Sequence, residues 1–238
     1  MILTVDFDRL RVGRGTKFID VGAGGGRHSY EALRRGADVT AFDLDEAELK
    51  GVDDMFGAME LEGEVPPGGR GQVKVGTILD MPYEDGSFDV VLASEILEHV
   101  PEDVRAIAEL ERILAPGGVL AVTVPRTWPE QVCWKLSDEY HANEGGHIRI
   151  YEASDLRAKL EATGLVFTHR HWAHALHSPF WWIKCAVGVH REDHWLVKLY
   201  HRLLVWDMMK APALTRVGER LLNPIMGKSV ALYFRKPF

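Results

Sequence analysis

A glycine-dense segment beside a carboxylate is the part of this sequence best suited to hold a ligand. Residues 18–27, FIDVGAGGGR, begin as a short apolar run, become acidic at Asp20 and then become rich in glycine. Glycine allows positive φ and close approach of the backbone to a ligand, and a turn at the start of a helix presents unpaired N–H groups. The pattern predicts a strand, a ligand-binding loop and a helix. Arg27 stands where the dinucleotide fingerprint has its last glycine, which argues against a pyrophosphate.

A second carboxylate follows at the end of the next predicted strand. Residues 30–35 predict a helix that Gly36 ends, and residues 38–42 predict a strand that leads into Asp43. An acidic residue about 20 positions after the first glycine is placed to accept the two hydroxyls of a ribose. The glycine loop and Asp43 together therefore indicate a ligand that contains a ribose.

The rest of the chain alternates predicted strands and helices. Residues 90–92 form a continuous apolar run, as expected for a strand covered on both faces. Such alternation predicts an α/β protein with a parallel, doubly wound sheet. Residues 125–150 are predicted to be irregular. Further strands are predicted at 72–76, 118–124, 165–170 and 229–235, and further helices at 46–62, 101–114 and 155–162, the last capped by Ser154.

Several motifs, taken in order, resemble those of one family. They are DVGAGGG at 20–26, Asp43, DMPY at 80–83, SFDVV at 87–91 and RILAPGG at 112–118. In these motifs the chain resembles the class I S-adenosylmethionine (SAM)-dependent methyltransferases, of the branch that includes the ubiquinone-biosynthesis O-methyltransferases. The resemblance implies a Rossmann-like sheet of seven strands, with an antiparallel last strand, in a single domain that covers the whole chain.

The resemblance also implies where SAM binds. Asp43 would hold the ribose, the segment 80–83 would hold the adenine, and Leu44 and Met81 would be apolar walls of the adenine slot. Ligands of open α/β sheets lie at the carboxyl ends of the strands, which supports this placement. The residues assigned to the SAM site are Asp20, Gly22, Ala23, Gly24, Gly26, Asp43, Leu44, Leu79, Asp80, Met81, Ser94 and Glu95.

The segment after the fourth predicted strand contains groups that could bind a metal ion. Glu95, Glu98 and His99 combine carboxylates with an imidazole, a donor set suited to a divalent cation such as Mg²⁺, Mn²⁺ or Zn²⁺. The spacing resembles the metal-binding element of the ubiquinone O-methyltransferases and of the small-RNA 2′-O-methyltransferases. In those families a further histidine comes from downstream, and His147 fits that place. Such a metal ion would lower the pKa of an acceptor hydroxyl.

Two other interpretations of the same segment stay open. A glutamate–histidine pair after the fourth strand occurs widely in the superfamily without a metal ion. His99, beside Glu98, would then be a general base for the reaction. In the third interpretation both residues have only a structural role.

Composition separates an acidic front from a basic tail. The net charge is −7, yet residues 169–238 hold 11 Lys and Arg against 4 Asp and Glu. The acidic front argues against nucleic acid as a partner.

Two cysteines give no disulfide framework, and the first residues lack the pattern of a signal peptide. No apolar run reaches the roughly 18 residues of a membrane span, so we expect a cytoplasmic protein.

The basic tail includes a long insertion between the last two predicted strands. Residues 171–228 are expected to form a helical cap that binds the acceptor. Within it, residues 193–210 predict a helix with Trp195 and Trp206 on one side and lysines and arginines toward the other. Such a helix either packs on the sheet with solvated charges or lies at a membrane interface near a lipid-like acceptor.

These observations predict a SAM-dependent enzyme that methylates an oxygen of a small-molecule or lipid-linked acceptor. The preference for oxygen depends on the resemblance at Glu95, Glu98 and His99. A C- or N-methyltransferase is the alternative enzyme, and a SAM-binding regulatory module without turnover is the alternative of another class. The identity of the acceptor and the oligomeric state stay open.

Overall fold

The computed structural model describes residues 3–142 and 146–238. The strands are β1 Lys17–Val21, β2 Asp38–Asp43, β3 Arg70–Val75, β4 Phe88–Ser94, β5 Leu114–Pro125, β6 Val166–Ala173 and β7 Ser229–Arg235. The helices are α1 Phe7–Leu10, α2 Arg27–Arg34, α3 Glu46–Leu61, α4 Asp103–Ile113, α5 Thr127–Leu136, α6 Asp138–Ala142, α7 Ala153–Glu161, α8 His177–Val187, α9 Trp195–Lys210 and α10 Ala213–Met226, with a 3₁₀ turn at Leu97–His99.

All seven strands belong to one sheet. Its order is β3-β2-β1-β4-β5-β7-β6, with parallel pairing from β3 to β5 and antiparallel pairing of β7 with both β5 and β6. The predicted doubly wound sheet with an antiparallel last strand is confirmed. The direction of winding reverses between β1 and β4, so this edge of the sheet opens a crevice for a ligand.

The hydrophobic core lies in two layers, one on each face of the sheet. One layer packs α4 and α7 against the sheet, and the other packs α1, α2 and α3. Strand β4 contributes to both layers, because Val91 faces one and Val90 and Leu92 face the other. Burial on both faces explains its continuous apolar sequence.

The prediction that residues 125–150 are irregular is wrong for most of the segment. Helices α5 and α6 occupy much of it. Pro129 lies in the first turn of α5, where a missing N–H costs no intrahelical hydrogen bond. The stabilising contacts of α5 come from α8: Cys133 packs with Cys185, and Trp182 Nε1 donates to the carbonyl of Pro129 at 3.1 Å. These partners lie about 50 residues downstream, which local periodicity does not reveal.

Two predicted boundaries also differ from the structure. Ser154 is not the cap of its helix, because α7 already begins at Ala153 and Ser154 Oγ donates to Asp155 Oδ1 at 3.3 Å. Strand β6 continues to Ala173, beyond its predicted end at residue 170, because the ladder with β7 continues to the pair Ala173 and Ser229.

The insertion between β6 and β7 is helical, as expected. It consists of α8, α9 and α10, and α9 begins at Trp195 because the His194 side chain accepts a hydrogen bond from the backbone N–H of Leu196. Helix α8 packs on α5, and α9 packs on α8. No helix of the described residues combines the length and the apolar character that a membrane crossing requires.

Candidate active site

The glycine loop lies between β1 and α2, at the reversal point of the sheet. Gly22, Gly24 and Gly26 all have positive φ, at 73°, 47° and 74°. A Cβ on Gly22 would meet Ile96 at 2.4 Å, and one on Gly26 would meet Tyr30 at 2.8 Å. A Cβ on Gly24 would meet nothing within 4 Å. Gly22 and Gly26 are therefore required for packing, whereas Gly24 borders open space where a ligand can approach the backbone.

Asp43 connects the glycine loop to the end of β2. Its Oδ2 accepts a hydrogen bond from the backbone N–H of Gly24 at 2.8 Å, and its Oδ1 accepts one from Asp45 at 2.9 Å. A carboxylate has about four acceptor positions, so two remain for the hydroxyls of a ribose. Leu44 follows directly and is 70% exposed, which suits an apolar wall beside the ribose.

Asp20 is buried at the end of β1, and one of its oxygens has no partner. Ser29 Oγ donates to Oδ2 at 2.8 Å, while Oδ1 has no hydrogen bond within the described part of the chain. Burial raises the pKa of Asp20 to about 7. Because positive charge near the loop would stabilise the ionised carboxylate, this unsatisfied acceptor fits a cationic ligand such as SAM.

The segment expected to hold the adenine follows β3 and is fixed by α4. The backbone N–H of Met81 donates to Glu109 Oε2 at 2.9 Å, and its carbonyl accepts from Arg112 at 3.0 Å. The Met81 side chain lies in the hydrophobic core, so it does not line an open slot. Leu79 is half-buried and Asp80 is exposed, and these two residues lie at the surface of the segment.

The end of β4 carries a strained residue. Glu95 has a φ of 56°, a left-handed backbone conformation that residues with a side chain rarely adopt. Its Oε1 accepts a hydrogen bond from Thr123 at 2.9 Å, and the same hydroxyl is bonded to buried Ser94 at 3.0 Å. Sparsely populated backbone conformations of this kind persist where the surroundings impose them, often at functional sites. Here the backbone conformation places the Glu95 side chain against Thr123 of β5.

Glu98, His99 and His147 come together beyond β4. One possible metal-ligand atom of each lies within 4.8 Å of those of the other two. Glu95 does not belong to this group among the described residues, although the sequence predicted it as a fourth ligand. Glu98 is fully buried, and neither carboxylate oxygen has a hydrogen-bond partner within residues 3–142 and 146–238. Burial, together with the nearby charge of Glu95, raises the pKa of Glu98 well above its usual range.

Both histidines of this group are oriented through Nδ1. His147 Nδ1 is 2.6 Å from Glu130 Oε1, and His99 Nδ1 is 3.2 Å from the carbonyl of Gly146. A carbonyl only accepts, and an ionised carboxylate only accepts, so each Nδ1 is the donor. In a neutral imidazole the acceptor is then Nε2. The two rings lie 5.0 Å apart, which places two such imidazoles beside Glu98.

Glu130 is a site residue that the sequence analysis missed. It is 2% exposed and receives hydrogen bonds from His147, Trp134 and Tyr140. Burial would raise the pKa of Glu130, but the His147 hydrogen bond and the nearby Lys228 hold it below its usual range. Its segment was predicted to be irregular, and no motif marks it, because its partners become neighbours only after folding.

A cavity of about 400 Å³ lies between the glycine loop and the helical insertion. Arg27 lines it from the start of α2, and Glu95 lines it from the end of β4. Trp181, Met208 and Lys228 line it from the insertion. The insertion therefore forms one wall of the space that adjoins the glycine loop.

Gly24→Ala should weaken SAM binding by at least about tenfold, which corresponds to 1.4 kcal/mol. The added methyl group would occupy the open space in front of the loop, and the positive φ would cost about 1–2 kcal/mol of stability. Gly63→Ala is the matched control, because Gly63 also has positive φ and open space but lies at the end of α3. Calorimetric titration of both variants checks this, and equal SAM affinities would contradict it.

Asp20→Asn should change the pH dependence of stability. The pKa of Asp20 is about 7 when folded and 3.8 in the unfolded chain, so the folded state binds more protons between these values. The free energy of unfolding contributed by Asp20 therefore falls as pH rises across that window. We therefore expect the difference in melting temperature, Asp20→Asn minus wild type, to become more positive between pH 5 and pH 8 when both proteins are measured without ligand. A difference that does not vary with pH would show that the carboxyl does not titrate there.

Comparisons with known proteins agree with this geometry. A family model described as "Methyltransferase domain" matches residues 19–122. A ubiquinone biosynthesis O-methyltransferase from Xanthomonas oryzae pv. oryzae is 41% identical over 115 residues, which are 48% of this chain and 45% of that protein. The chloroplastic tocopherol O-methyltransferase of Arabidopsis thaliana is 34% identical over 113 residues, 47% of this chain and 30% of that protein. The chain thus spans less than half the length of these two relatives.

Solved structures share the fold over nearly the whole chain. A SAM-dependent methyltransferase from Methanosarcina mazei has a TM-score of 0.64 at 14% identity and covers 99% of this chain and 100% of that one. A geranyl diphosphate methyltransferase solved in complex with SAM has a TM-score of 0.62 at 16% identity, covering 96% of this chain and 82% of that one. The family match over residues 19–122, the sheet order and the glycine loop at the reversal point show that this chain resembles the class I SAM-dependent methyltransferases and shares their fold.

Proposed function

We propose that the protein transfers a methyl group from SAM to an oxygen of a hydroxyl-bearing small-molecule or lipid-linked acceptor. The observation that carries this proposal is the group of Glu98, His99 and His147 beyond β4. It combines a buried carboxyl without a hydrogen-bond partner in the described chain with two oriented imidazoles, and such groups can accept and hold the proton of a hydroxyl.

The relatives support this class of acceptor. Two are named as O-methyltransferases, one of ubiquinone biosynthesis and one of tocopherol. A third, a 2-methyl-6-phytyl-1,4-hydroquinone methyltransferase from Synechocystis sp., is 29% identical over 196 residues, covering 76% of this chain and 57% of that protein. All three names contain hydroxyl-bearing compounds or lipid-like ones, which agrees with an acceptor whose hydroxyl is bound by Glu98, His99 and His147.

One set of residues at the edge of the sheet would bind SAM, and another set would bind the acceptor and take its proton. SAM, when bound, supplies an electrophilic methyl group on a sulfonium. Asp43 and the loop at Gly24 would position it, and Asp20 would balance its positive charge. Nε2 of His147 would take the proton of the acceptor hydroxyl, and the ionised Glu130 at Nδ1 would stabilise the imidazolium that forms. Holding the acceptor in line with the methyl group would supply much of the rate enhancement.

The same group also fits a divalent cation. Two imidazole nitrogens and one carboxylate oxygen lie within 4.8 Å, and this mixed donor set suits Zn²⁺ or Mn²⁺ better than Mg²⁺, which prefers oxygen. The unsatisfied oxygens of Glu98 would serve as ligands with His99 and His147. Glu130 and the Gly146 carbonyl already hydrogen-bond to Nδ1 of the two imidazoles, as the groups that orient metal-binding histidines commonly do. Bound there, the cation would lower the pKa of the acceptor hydroxyl.

Glu98→Gln should lower methyl transfer to hydroxyl acceptors by about 10²-fold or more, with SAM affinity unchanged. The substitution keeps the volume of the buried side chain but replaces one carboxyl oxygen by an NH₂ group, which removes the acid and the negative charge that a cation would require. Release of S-adenosylhomocysteine, measured with catechols and hydroquinones as acceptors, reports the rate. Glu60→Gln, an exposed position on α3, is the matched control and should match wild type.

Chelator treatment separates the two forms of this site. Loss of activity that Mn²⁺ or Zn²⁺ restores would assign the cation, whereas activity that survives the chelator and is lost in His147→Ala would assign a general base. Methyl transfer only to carbon or nitrogen, unaffected by Glu98→Gln, would replace the proposal by the other enzyme class. SAM binding with no turnover on any acceptor would favour a regulatory module.

We further propose that residues 171–228 are the acceptor-binding cap and that its outer helices contact a membrane surface. Helices α9 and α10 present apolar side chains to solvent at helical spacing, where no other part of the described chain covers them. The exposed side chains are Trp195, Leu199, Leu203, Trp206 and Met209 on α9 and Leu214, Val217, Leu221 and Ile225 on α10. Exposed cations flank them, at Lys198, Arg202, Lys210 and Arg220.

An anionic bilayer is the occupant that this surface fits best. Tryptophans beside lysines and arginines combine apolar insertion with attraction to anionic headgroups. Met208 lines the cavity and is 41% exposed, so this surface adjoins the acceptor space. A lipid-linked acceptor could thus enter from the membrane without leaving an apolar environment.

The double variant Trp195→Ser/Trp206→Ser should bind anionic vesicles more than about tenfold more weakly than wild type, since a fully buried apolar side chain contributes roughly 1.5–3 kcal/mol. Co-sedimentation with phosphatidylcholine–phosphatidylserine vesicles, and with phosphatidylcholine alone, measures this. Leu61→Ser removes an apolar side chain that is 91% exposed at the end of α3 and should leave binding unchanged. Vesicle binding that is equal in all three proteins, or self-association without vesicle binding, would overturn the membrane role.

A further inference from the structure

A second group of metal-ligating side chains lies inside the insertion and shares no residue with the group of Glu98, His99 and His147. His174 is at the turn after β6, His177 is the first residue of α8, and Glu219 is near the middle of α10. One possible ligand atom of each lies within 4.8 Å of those of the other two. We propose that these three residues bind a divalent transition-metal ion of the zinc class, independently of methyl transfer.

The donor set and the spacing of the group suit a zinc-class ion. Two ligands of one zinc ion lie roughly 3.4 Å apart, given bonds of about 2.0–2.2 Å. Small side-chain rotations would bring the three atoms from within 4.8 Å to that spacing. Two imidazoles with one carboxylate are a known zinc donor set that leaves a fourth position open. His174 and His177 line the cavity of about 400 Å³, so that position would face the cavity.

The polar atoms around this group are short of partners. His177 Nδ1 and Asp207 Oδ1 are buried without a hydrogen bond in the part of the chain that the structure describes. Unsatisfied buried groups in a folded protein call for an explanation, and an ion is one of the few available. Both atoms can accept and so suit a cation. Arg216 Nε, also without a partner among the described residues, is a donor, but it belongs to a side chain that already pairs with Asp207.

A hydrogen bond to one ring nitrogen orients His174, as is common for metal-binding imidazoles. Its backbone has a φ of 65°, and its Nε2 lies 2.9 Å from Thr4 Oγ1. Such a bond fixes the ring and leaves Nδ1 to serve as a ligand. Burial also holds the pKa of His174 well below its usual range and lowers that of His177 to about 4, so both imidazoles are neutral at pH 7, as ligands must be.

Two cations near the group, Arg216 and Lys228, already face a carboxylate. Arg216 forms an ion pair with Asp207, and Lys228 Nζ lies 3.7 Å from Glu130 Oε2. Arg27 donates to Thr4 Oγ1 at 3.0 Å. Arg216 also lies 3.5 Å from Glu219 and would share that carboxylate with the ion. The bound ion would connect the end of β6, α8 and α10, and so fix the wall of the cavity.

The test is a titration of Co²⁺, a visible reporter of tetrahedral zinc sites, into the full chain after chelator treatment. His147→Ala is used as the background, because it removes a ligand of the other candidate group. We expect one tetrahedral Co²⁺ per chain, displaced by Zn²⁺, with affinity at least about tenfold weaker when His177→Ala or Glu219→Gln is added. His190→Ala, at an exposed histidine, is the matched control and should bind normally.

Equal affinity with and without His177→Ala and Glu219→Gln, or no Co²⁺ binding in the His147→Ala background, would overturn the site. If His177→Ala unfolds, Glu219→Gln alone decides, since its volume and hydrogen-bonding capacity are close to those of the wild-type residue. SAM titration of the same samples keeps this result separate from the proposed function. Cobalt binding without SAM binding would refute methyl transfer, and SAM binding without cobalt binding would refute only the metal site.

Discussion

The parallel pairing of β1 with both β2 and β4 is the constraint on which the site depends. Because these strands run in the same direction, their carboxyl ends meet at one edge of the sheet. The glycine loop, Asp43 and the Glu95 turn follow those ends and so become neighbours. The hydrogen bond from Gly24 N–H to Asp43 Oδ2, at 2.8 Å, joins two of these segments directly. A shift in the pairing of either strand would separate the residues that we assign to SAM.

Buried carboxyl groups are the second feature of the site. Asp20 and Glu98 are both almost inaccessible, and both have a raised pKa because burial disfavours their charge. Glu130 is equally buried, yet its pKa is lowered because His147 and Lys228 face it. Buried carboxyl groups of this site thus have their pKa shifted in opposite directions by their surroundings, which is how one site can hold an acid beside a base at one pH.

The insertion between β6 and β7 adds a wall to the open edge of the sheet. Its helices contribute Trp181, Met208 and Lys228 to the cavity, and α8 packs on α5, which carries Glu130. The outer side chains of α9 and α10 remain exposed and apolar. The insertion therefore has one face toward the cavity and another toward whatever the protein contacts, and we propose that these are the acceptor and a membrane.

The sequence by itself determined the parallel sheet and the glycine loop, because both depend on local patterns. Glycines with positive φ, an acid at a strand end and a continuous apolar strand can each be recognised within a few residues, and their order specifies the winding. Only the tertiary structure decided that Glu95 accepts a hydrogen bond from Thr123 and lies outside the group of Glu98, His99 and His147, that Met81 lies in the core, and that α5 is a helix. It also brought Glu130 to His147 and Glu219 to His177. Glu130 and His147 are 17 residues apart in the chain, and His177 and Glu219 are 42 apart. Burial and pairing between such distant elements stabilise these contacts, and no local sequence pattern records them.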